Sequence, residues 1–301
     1  MREQEISKNL LIKIPPRRRN RFIVHIPASV ISVEKGVFKK TFVAGLIARA
    51  CGIFRVDIID IYKDPDAESE DVIFLKKILD YIRIPHYLRK ILIPLDKDLR
   101  GVGVLPPLTT PNQGSFEETS KDYEIREAVI IKKSRDKICM EAGLSDKICV
   151  KRDKLRKKLD VGDIVYIKIR GEEFIDFIDE DFLKRRYYWV FDVSTSDSLR
   201  DSLRKYDSYL LISTRKGVYL DEEISRKILE IFDKKDLSIV FGSPEKDPDE
   251  IAEIEKWDLN KLIHISINTA PLQGVRSIRT YEALYITLAL LNNIIFLSKS
   301  F

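Results

Sequence analysis

The sequence predicts an α/β protein: a parallel sheet whose two α/β halves flank an inserted small antiparallel β-barrel. Three observations carry that reading. Apolar, β-branched runs alternate with amphipathic ones from Arg21 to Ile82 and again from Tyr187 to Leu297, and strand–helix–strand order requires crossovers and hence parallel strands. Between Tyr123 and Arg170 the runs are instead short, alternating and closely spaced, as in a small barrel. The 301 residues, 44% hydrophobic and 34% charged, suffice to bury a sizeable core and are too apolar for a disordered chain. The division expected is 1–90 for the N-terminal α/β part, 91–170 for the connector and barrel, and 171–301 for the C-terminal part.

The elements follow in order. After an entry holding Arg17, Arg18, Arg19 and Arg21, RFIVHIPASVI reads as a buried strand because its apolar run is nearly continuous. KKTFVAGLIARACGIF carries Phe42, Leu46, Arg49 and Ala50 at helical spacing, with Gly52 as a C-cap. FRVDIIDIY is a second strand, and ESEDVIFLKKILDYI a second helix that starts at Ser69 and Asp71 and aligns Phe74, Ile78 and Ile82. From Pro85 to Ser120, Pro94, Pro106, Pro107 and Pro111 break the pattern into a connector. EAVIIKK, KICMEAG, DKICVKR and DIVYIKIR are the barrel strands. In the last, Val165, Ile167 and Ile169 face inward, leaving Tyr166, Lys168 and Arg170 outward. An exposed aromatic with two cations suits base stacking and phosphate contact.

From Tyr187 the strands YYWVFDVS, SYLLISTR, LSIVFGSPEKD and LIHISINT alternate with the helices SDSLRDSLRKY, LDEEISRKILEIFDK, PDEIAEIEKW and YEALYITLALLNNIIFL. Pro248 occupies a helix first turn, where its missing N–H costs nothing. The final helix is apolar nearly all round, which implies burial within the protein or across a dimer interface.

Several function classes lose their footing. No run approaches the roughly 18 to 20 apolar residues that cross a bilayer, and the N-terminus lacks the hydrophobic core of a signal peptide; a cytoplasmic protein without membrane partners is expected. Cys51, Cys139 and Cys149 are widely spaced and read as reduced structural thiols. His25 lies mid-strand and reads as a satisfied core histidine, while His86 and His264 have no Cys or carboxylate at triad or metal spacing, so no metal is expected. The phosphate-binding G-x-x-x-x-G-K-[ST], the dinucleotide G-x-G-x-x-G and the hydrolase G-x-S-x-G are all absent.

What remains lies at strand ends. FGSPEKD and NTAPLQGVRSIRT follow parallel strands at the carboxyl edge, where loops and helix N-termini present unpaired N–H groups to a ligand. Gly242 and Gly274 would either admit a ligand close to the backbone or simply make turns. The net charge is only +5, so its distribution matters more than its sum. Arg152, Lys154, Arg156 and Lys157 form a cluster in the barrel that is either a solvated face or a phosphate-binding one.

The segments TFVAGLIARACGIFRVDIIDIY, PHYLRKILIPLDKDLRGVGVLPPL, YYWVFDV and INTAPLQGVRSIRTYEALYITLALLN, in that order, resemble the SPOUT-class RNA methyltransferase family that carries an OB-like insertion. The most specific part is the C-terminal motif, from Asn268 to Ala283. The resemblance implies a C-terminal trefoil knot, S-adenosylmethionine as methyl donor, RNA, above all ribosomal RNA, as acceptor, and a homodimer. Matching positions assign Phe241, Gly242, Ser243, Ile267, Asn268, Gln273, Gly274 and Ile278 to the cofactor pocket, and Arg276, Arg279 and Glu282 to the vicinity of the reacting base. Where the family tends to have a His pair after the proline matching Pro111, this chain has Asn112 and Gln113.

Methyl transfer from a sulfonium needs alignment more than acid or base strength. Arg276 or Arg279 could stabilise negative charge on the nucleotide and Glu282 could accept a proton through water. The plainer alternatives are a surface ion pair for the arginines and a helix-dipole carboxylate for Glu282. For the whole protein the expected activity is methylation of a base nitrogen of a pyrimidine in structured RNA. The alternatives are a non-catalytic RNA-binding or ribosome-assembly factor and a protein-binding scaffold.

Overall fold

The computed structural model describes residues 14–113, 123–151 and 159–297. They form two compact units, one from residues 18–82, 96–107 and 191 onward, the other from the residues up to 17 with 83–95 and 108–190. Strand β1 (Phe22–Pro27) is buried at every position. It stops short of the eleven-residue run expected, and Ala28–Ile31 form a 3-10 turn instead, because the Ser29 N–H leaves the ladder for the Asp64 carboxylate at 3.0 Å. Helix α1 (Val37–Ile53) buries Val43, Ala44, Ile47, Ala48 and Cys51 and leaves Phe42 47% exposed, the reverse of the face its large residues suggest. Close approach decides it: a Cβ on Gly45 would stand 2.7 Å from the Pro106 ring, so the small residues face the neighbouring segment. Gly52 is inside the helix, and Phe54 caps it. Beyond β2 (Ile58–Tyr62), helix α2 (Ser69–Arg83) buries Phe74, Ile78 and Ile82 as its spacing predicts.

The connector holds the single turn α3 (Arg89–Leu92) and two 3-10 stretches, Lys97–Val104 and Pro111–Gln113. Strands β3 (Glu124–Lys133), β4 (Lys137–Glu141), β5 (Ile148–Lys151), β6 (Ile164–Arg170) and β7 (Glu173–Ile178) then pair antiparallel in the order β5-β4-β3-β6-β7, a barrel-like sheet. Ala128, Ile130, Ile138, Met140, Val165, Ile167 and Ile169 fill its core. Two expectations fail here. Cys139 and Cys149 are not reduced thiols but a disulfide, because the register of β4 and β5 sets them directly opposite, with Cα atoms 4.1 Å apart. Cys51 stays a buried thiol.

Tyr166 is the second: it is 7% exposed, not outward-facing. Its ring meets Trp189 edge-on at 6.0 Å, and Ile14, Ile125 and Leu183 complete the cluster. Leu183 comes from helix α4 (Glu180–Arg186), so the second face of β3 and β6 is itself packed. Glu127 lies on that face opposite Tyr166 and accepts the Trp189 indole N–H at 2.6 Å.

The α/β pattern resumes with β8 (Asp192–Ser196), α5 (Leu199–Arg204), β9 (Ser208–Tyr219), α6 (Glu222–Phe232), β10 (Asp236–Phe241), α7 (Pro248–Ile254), β11 (Ile265–Asn268) and α8 (Thr280–Leu297). The six strands of this unit form one parallel sheet in the order β11-β9-β10-β1-β2-β8. Helix α8 buries Leu284, Leu288, Leu291 and Ile295, one stripe at helical spacing, and leaves Leu290 and Phe296 exposed. His25 is the satisfied core residue expected, with Nδ1 2.7 Å from the Ser202 hydroxyl and Nε2 3.0 Å from that of Ser238. Burial lowers its pKa to about 4 against the opposing pull of Asp60. No described helix is long and apolar enough to cross a membrane.

Burial pushes the Glu127 carboxyl up to about 7 from 4.5, against the Trp189 donor. The folded state therefore holds this proton where the unfolded chain has released it. The resulting stability is full below pH 4.5 and is lost as pH rises to about 7, amounting to roughly 3 kcal/mol. His25, whose pKa burial lowers to about 4, contributes an opposite slope over much of the same window, so the Glu127 effect is read as a difference. In urea unfolding followed by tryptophan fluorescence, the stability of the wild type relative to Glu127→Gln should fall by roughly 3 kcal/mol as pH rises from 4.5 to 7.

Candidate functional site

A cleft of about 260 Å³ opens at the carboxyl ends of β9, β10 and β11, the edge where parallel sheets present loops to ligands. Its walls are Ser213 to Lys216 after the core of β9, Phe241 to Asp247 after β10, Asn268 to Ala270 after β11, and Gln273, Ser277, Ile278, Thr280, Ala283 and Ile286 on the approach to α8 and in its first turns. Hydroxyls, amides and charged groups of both signs make the polar part, while Phe241, Ala270, Ile278, Ala283 and Ile286 give an apolar side.

A break in strand pairing creates one wall. Ile265 and Ser266 pair with Leu211 and Ile212, but the next two residues pair with Val218 and Tyr219. Residues 213–217 are thus an excursion of β9, and its far end is clamped: a Cβ on Gly217 would lie 2.4 Å from the backbone of Ile267. Asn268 ties the two strands together, donating to the Arg215 carbonyl and accepting the Ala270 N–H, each at 3.0 Å. Thr287, in mid-α8, meets the hydroxyls of Thr269 at 2.8 Å and Ser213 at 3.2 Å, so one buried side chain connects the helix to both strand ends.

The β10 loop is held as firmly. Tyr62 donates to the Phe241 carbonyl at 2.6 Å and Thr280 to that of Gly242 at 3.2 Å. Lys246 binds Asp66 at 2.5 and 2.7 Å. Asp247 and Glu250 form a capping box on α7, and Lys216 pairs with Asp249 at 2.8 Å. Asp247, Asp249 and Glu250 are close enough to share a cation, but capping and pairing already engage them.

Of the residues expected around a cofactor, Phe241, Gly242, Ser243, Asn268, Gln273 and Ile278 line this cleft, whereas Ile267 and Gly274 do not. Ile267 is fully buried in β11. Gly274 lies in open space, with nothing within 4 Å of where a Cβ would sit. The residues expected near the reacting base lie outside the lining. Arg276 offers its carbonyl to Arg215 and Gln273, and its side chain is exposed. Arg279 bonds Glu34 at 2.6 Å. Glu282 accepts the Arg279 N–H at 2.8 Å, which places it as a carboxylate at the start of the helix. Leu272, earlier in the same loop, has φ 55 and is almost wholly exposed, a conformation that costs free energy and recurs at functional sites.

Sequence reasoning missed Ser213, Thr214, Arg215 and Lys216, having ended that strand at Arg215, and it also missed Thr269, Thr280 and Thr287. Gly217 was the available signal, since an isolated glycine in a strand marks a bulge or a close backbone approach. Of the expected RNA contacts, Arg152, Lys154, Arg156 and Lys157 fall outside the described residues. Tyr166 is buried, Lys168 sits 4.7 Å over the Tyr123 ring, and Arg170 is exposed.

Residues 21–291 match the family described as "Putative RNA methyltransferase". The chain is 28% identical over 298 residues to the 28S rRNA (uridine-N(3))-methyltransferase of Mus musculus, covering 89% of this chain and 75% of that protein. It is 27% identical over 301 residues to the Homo sapiens protein of the same name, covering 89% and 77%. An uncharacterized protein of Haloarcula marismortui is 27% identical over 288 residues, covering 89% and 97%.

The two loop glycines should answer differently to substitution. In Gly242→Ala the new methyl would stand 2.5 Å from the Lys246 carbonyl oxygen, so thermal unfolding should show a loss of at least about 1 kcal/mol. Gly274→Ala should stay within about 0.5 kcal/mol of the wild type.

Proposed function

The chain belongs to the RNA methyltransferase family that its residues 21–291 match, and from that premise we propose that it transfers a methyl group from S-adenosylmethionine to N3 of a uridine in ribosomal RNA. The observation that carries the proposal is the cleft itself, whose mixed lining of hydroxyls, amides, charged groups of both signs and apolar side chains fits a ligand with a flat base, a ribose and a zwitterionic amino-acid tail. The mouse and human relatives are named for this position of uridine.

S-adenosylmethionine, when bound, would supply an electrophilic methyl on a positively charged sulfur for in-line transfer to the base nitrogen. What this chain contributes is alignment. Phe241, Ile278 and Ala283 offer an apolar side to the adenine, while Ser243, Asn268, Thr269 and Gln273 offer hydrogen bonds to ribose and amino acid. Because Asn268 fixes the excursion of β9 and the start of the β11 loop, the cleft has its shape before anything binds. The N3 proton would pass to water as the nitrogen is methylated, and Arg276 and Arg279 would stabilise the negative charge that develops on the uracil carbonyls. Glu282 serves by holding the turn from which Arg279 projects.

Three further features belong to the proposal. The loop from Asn268 to Arg279 threads a trefoil knot. The barrel acts as an OB-like RNA-binding module through Lys168, Arg170 and the cations of 152–158. Two copies associate through the carboxyl ends of α1 and α8, which Arg18 ties together by bonding the Phe54 and Arg55 carbonyls and the Asn292 side chain, and where Ile53, Leu290 and Phe296 are exposed.

Calorimetric titration with S-adenosylmethionine tests the reading. Micromolar binding is expected, weakened about tenfold by Asn268→Ala, which removes two hydrogen bonds worth about 1 kcal/mol each at most, and incubation with ribosomal RNA should yield 3-methyluridine by mass spectrometry. RNA binding without cofactor binding would instead identify a non-catalytic RNA-binding factor.

A further inference from the structure

A second recess adjoins the start of α8. Glu34, Phe38, Phe42 and Leu46 line it, together with Val104, Arg279 and Tyr281. It shares a turn with the cleft: Ser277, Ile278 and Thr280 line the cleft, while Arg279 and Tyr281, the residues on either side of Thr280, line the recess. The recess and the cleft are therefore lined by neighbouring residues of one stretch of chain.

The chemistry of the recess is uneven in a useful way. Phe38 is 58% and Phe42 47% exposed, a costly placement for two large rings that the parallel sheet does not need covered. The Arg279 guanidinium is held against Glu34 at 2.6 Å, and the Glu34 side chain is only 16% exposed, so the carboxylate anchors the cation from below rather than competing for the surface. Lys39 lies on the rim and is exposed. Exposed rings beside a fixed guanidinium and an exposed ammonium are what unstacked nucleotides bind, the base on an aromatic face and the phosphate on a charge.

We propose that this recess is the subsite for the acceptor nucleotide, a single-stranded pyrimidine whose base stacks on Phe38 and Phe42, with Arg279 directed at its carbonyl oxygens and Lys39 at its phosphate. The assignment deepens the methyltransferase reading and rests on it. It explains why Arg279 faces away from the cleft: its place is with the acceptor, and Glu34 is the positioning residue that holds it there. Charge favours this occupant over a second copy of the chain, because an apolar contact between protomers would bury Lys39 and the Arg279 pair together.

The test is binding of a fluorescein-labelled oligouridine to the full chain, with calorimetric titration of S-adenosylmethionine on the same samples. Phe42→Ala should weaken oligouridine binding by at least about fivefold with cofactor affinity unchanged. Lys39→Gln should lower the slope of log affinity against log salt by about one. Phe42 is half-exposed, so its truncation should leave the fold intact, and Lys39→Gln gives a second reading independent of packing. Should both variants bind oligouridine as the wild type does while still binding cofactor, the subsite assignment fails and the methyltransferase reading stands. Should Phe42→Ala instead turn a dimer into a monomer with RNA affinity unchanged, the recess belongs to a second copy and the assignment is overturned. A wild type that binds no cofactor would remove the premise, and the subsite with it.

Discussion

The pairing of β9 between β10 and β11 is the constraint from which the rest of the candidate site follows. Parallel strands accept neighbours only in continuous register, and here the register is given up for residues 213–217 and recovered at Val218. The recovery requires a glycine, because the backbones of Gly217 and Ile267 approach too closely for any side chain between them. That contact is what the wall from Ser213 to Lys216 depends on. It lifts Thr214, Arg215 and Lys216 over the edge of the sheet, and it sets the direction in which β11 releases the chain toward α8.

Around this contact the structure spends its polar groups on holding loops rather than on reactive charge. Tyr62, Thr280, Asn268 and Thr287 each bind a strand end, and Lys246 and Lys216 pair with Asp66 and Asp249 on the flanks. The deeper Asp60 cluster behaves likewise: Ser194, Ser196 and Ser202 donate to its carboxylate along with Lys205, which keeps its pKa lowered in spite of burial. A family that aligns two substrates, instead of activating one with a strong acid or base, has a use for such rigidity. The barrel-like unit solves its own packing separately, with one apolar face inside and a second under Trp189 and Leu183.

The sheet's composition was legible because burial on both faces leaves a local trace, the continuous apolar runs of β1, β2 and β10. The same is true of α2, whose buried stripe recurs at helical spacing. Helix α1 misled for a reason that is equally physical: large residues mark a buried face only when nothing approaches closely, and Pro106 does. Tyr166 misled because alternation tells two faces apart without telling whether the second is covered. Cys139 and Cys149 misled because a spacing of 10 residues says nothing about the register of the hairpin between them.

By itself the sequence determined the α/β class, the interruption by short strands, the carboxyl-edge location of the cleft and, through the motif from Asn268 to Ala283, the family. These are properties written in neighbouring residues: periodicity, turn chemistry and a contiguous motif. Only the tertiary structure decided that residues 213–217 form a wall, that Arg279 turns to Glu34, that Glu282 caps a helix and that Thr287 joins two strand ends. Each depends on a partner tens or hundreds of residues away or on a backbone turn, and hydrogen bonds and close contacts are made between positions in space that no local pattern specifies.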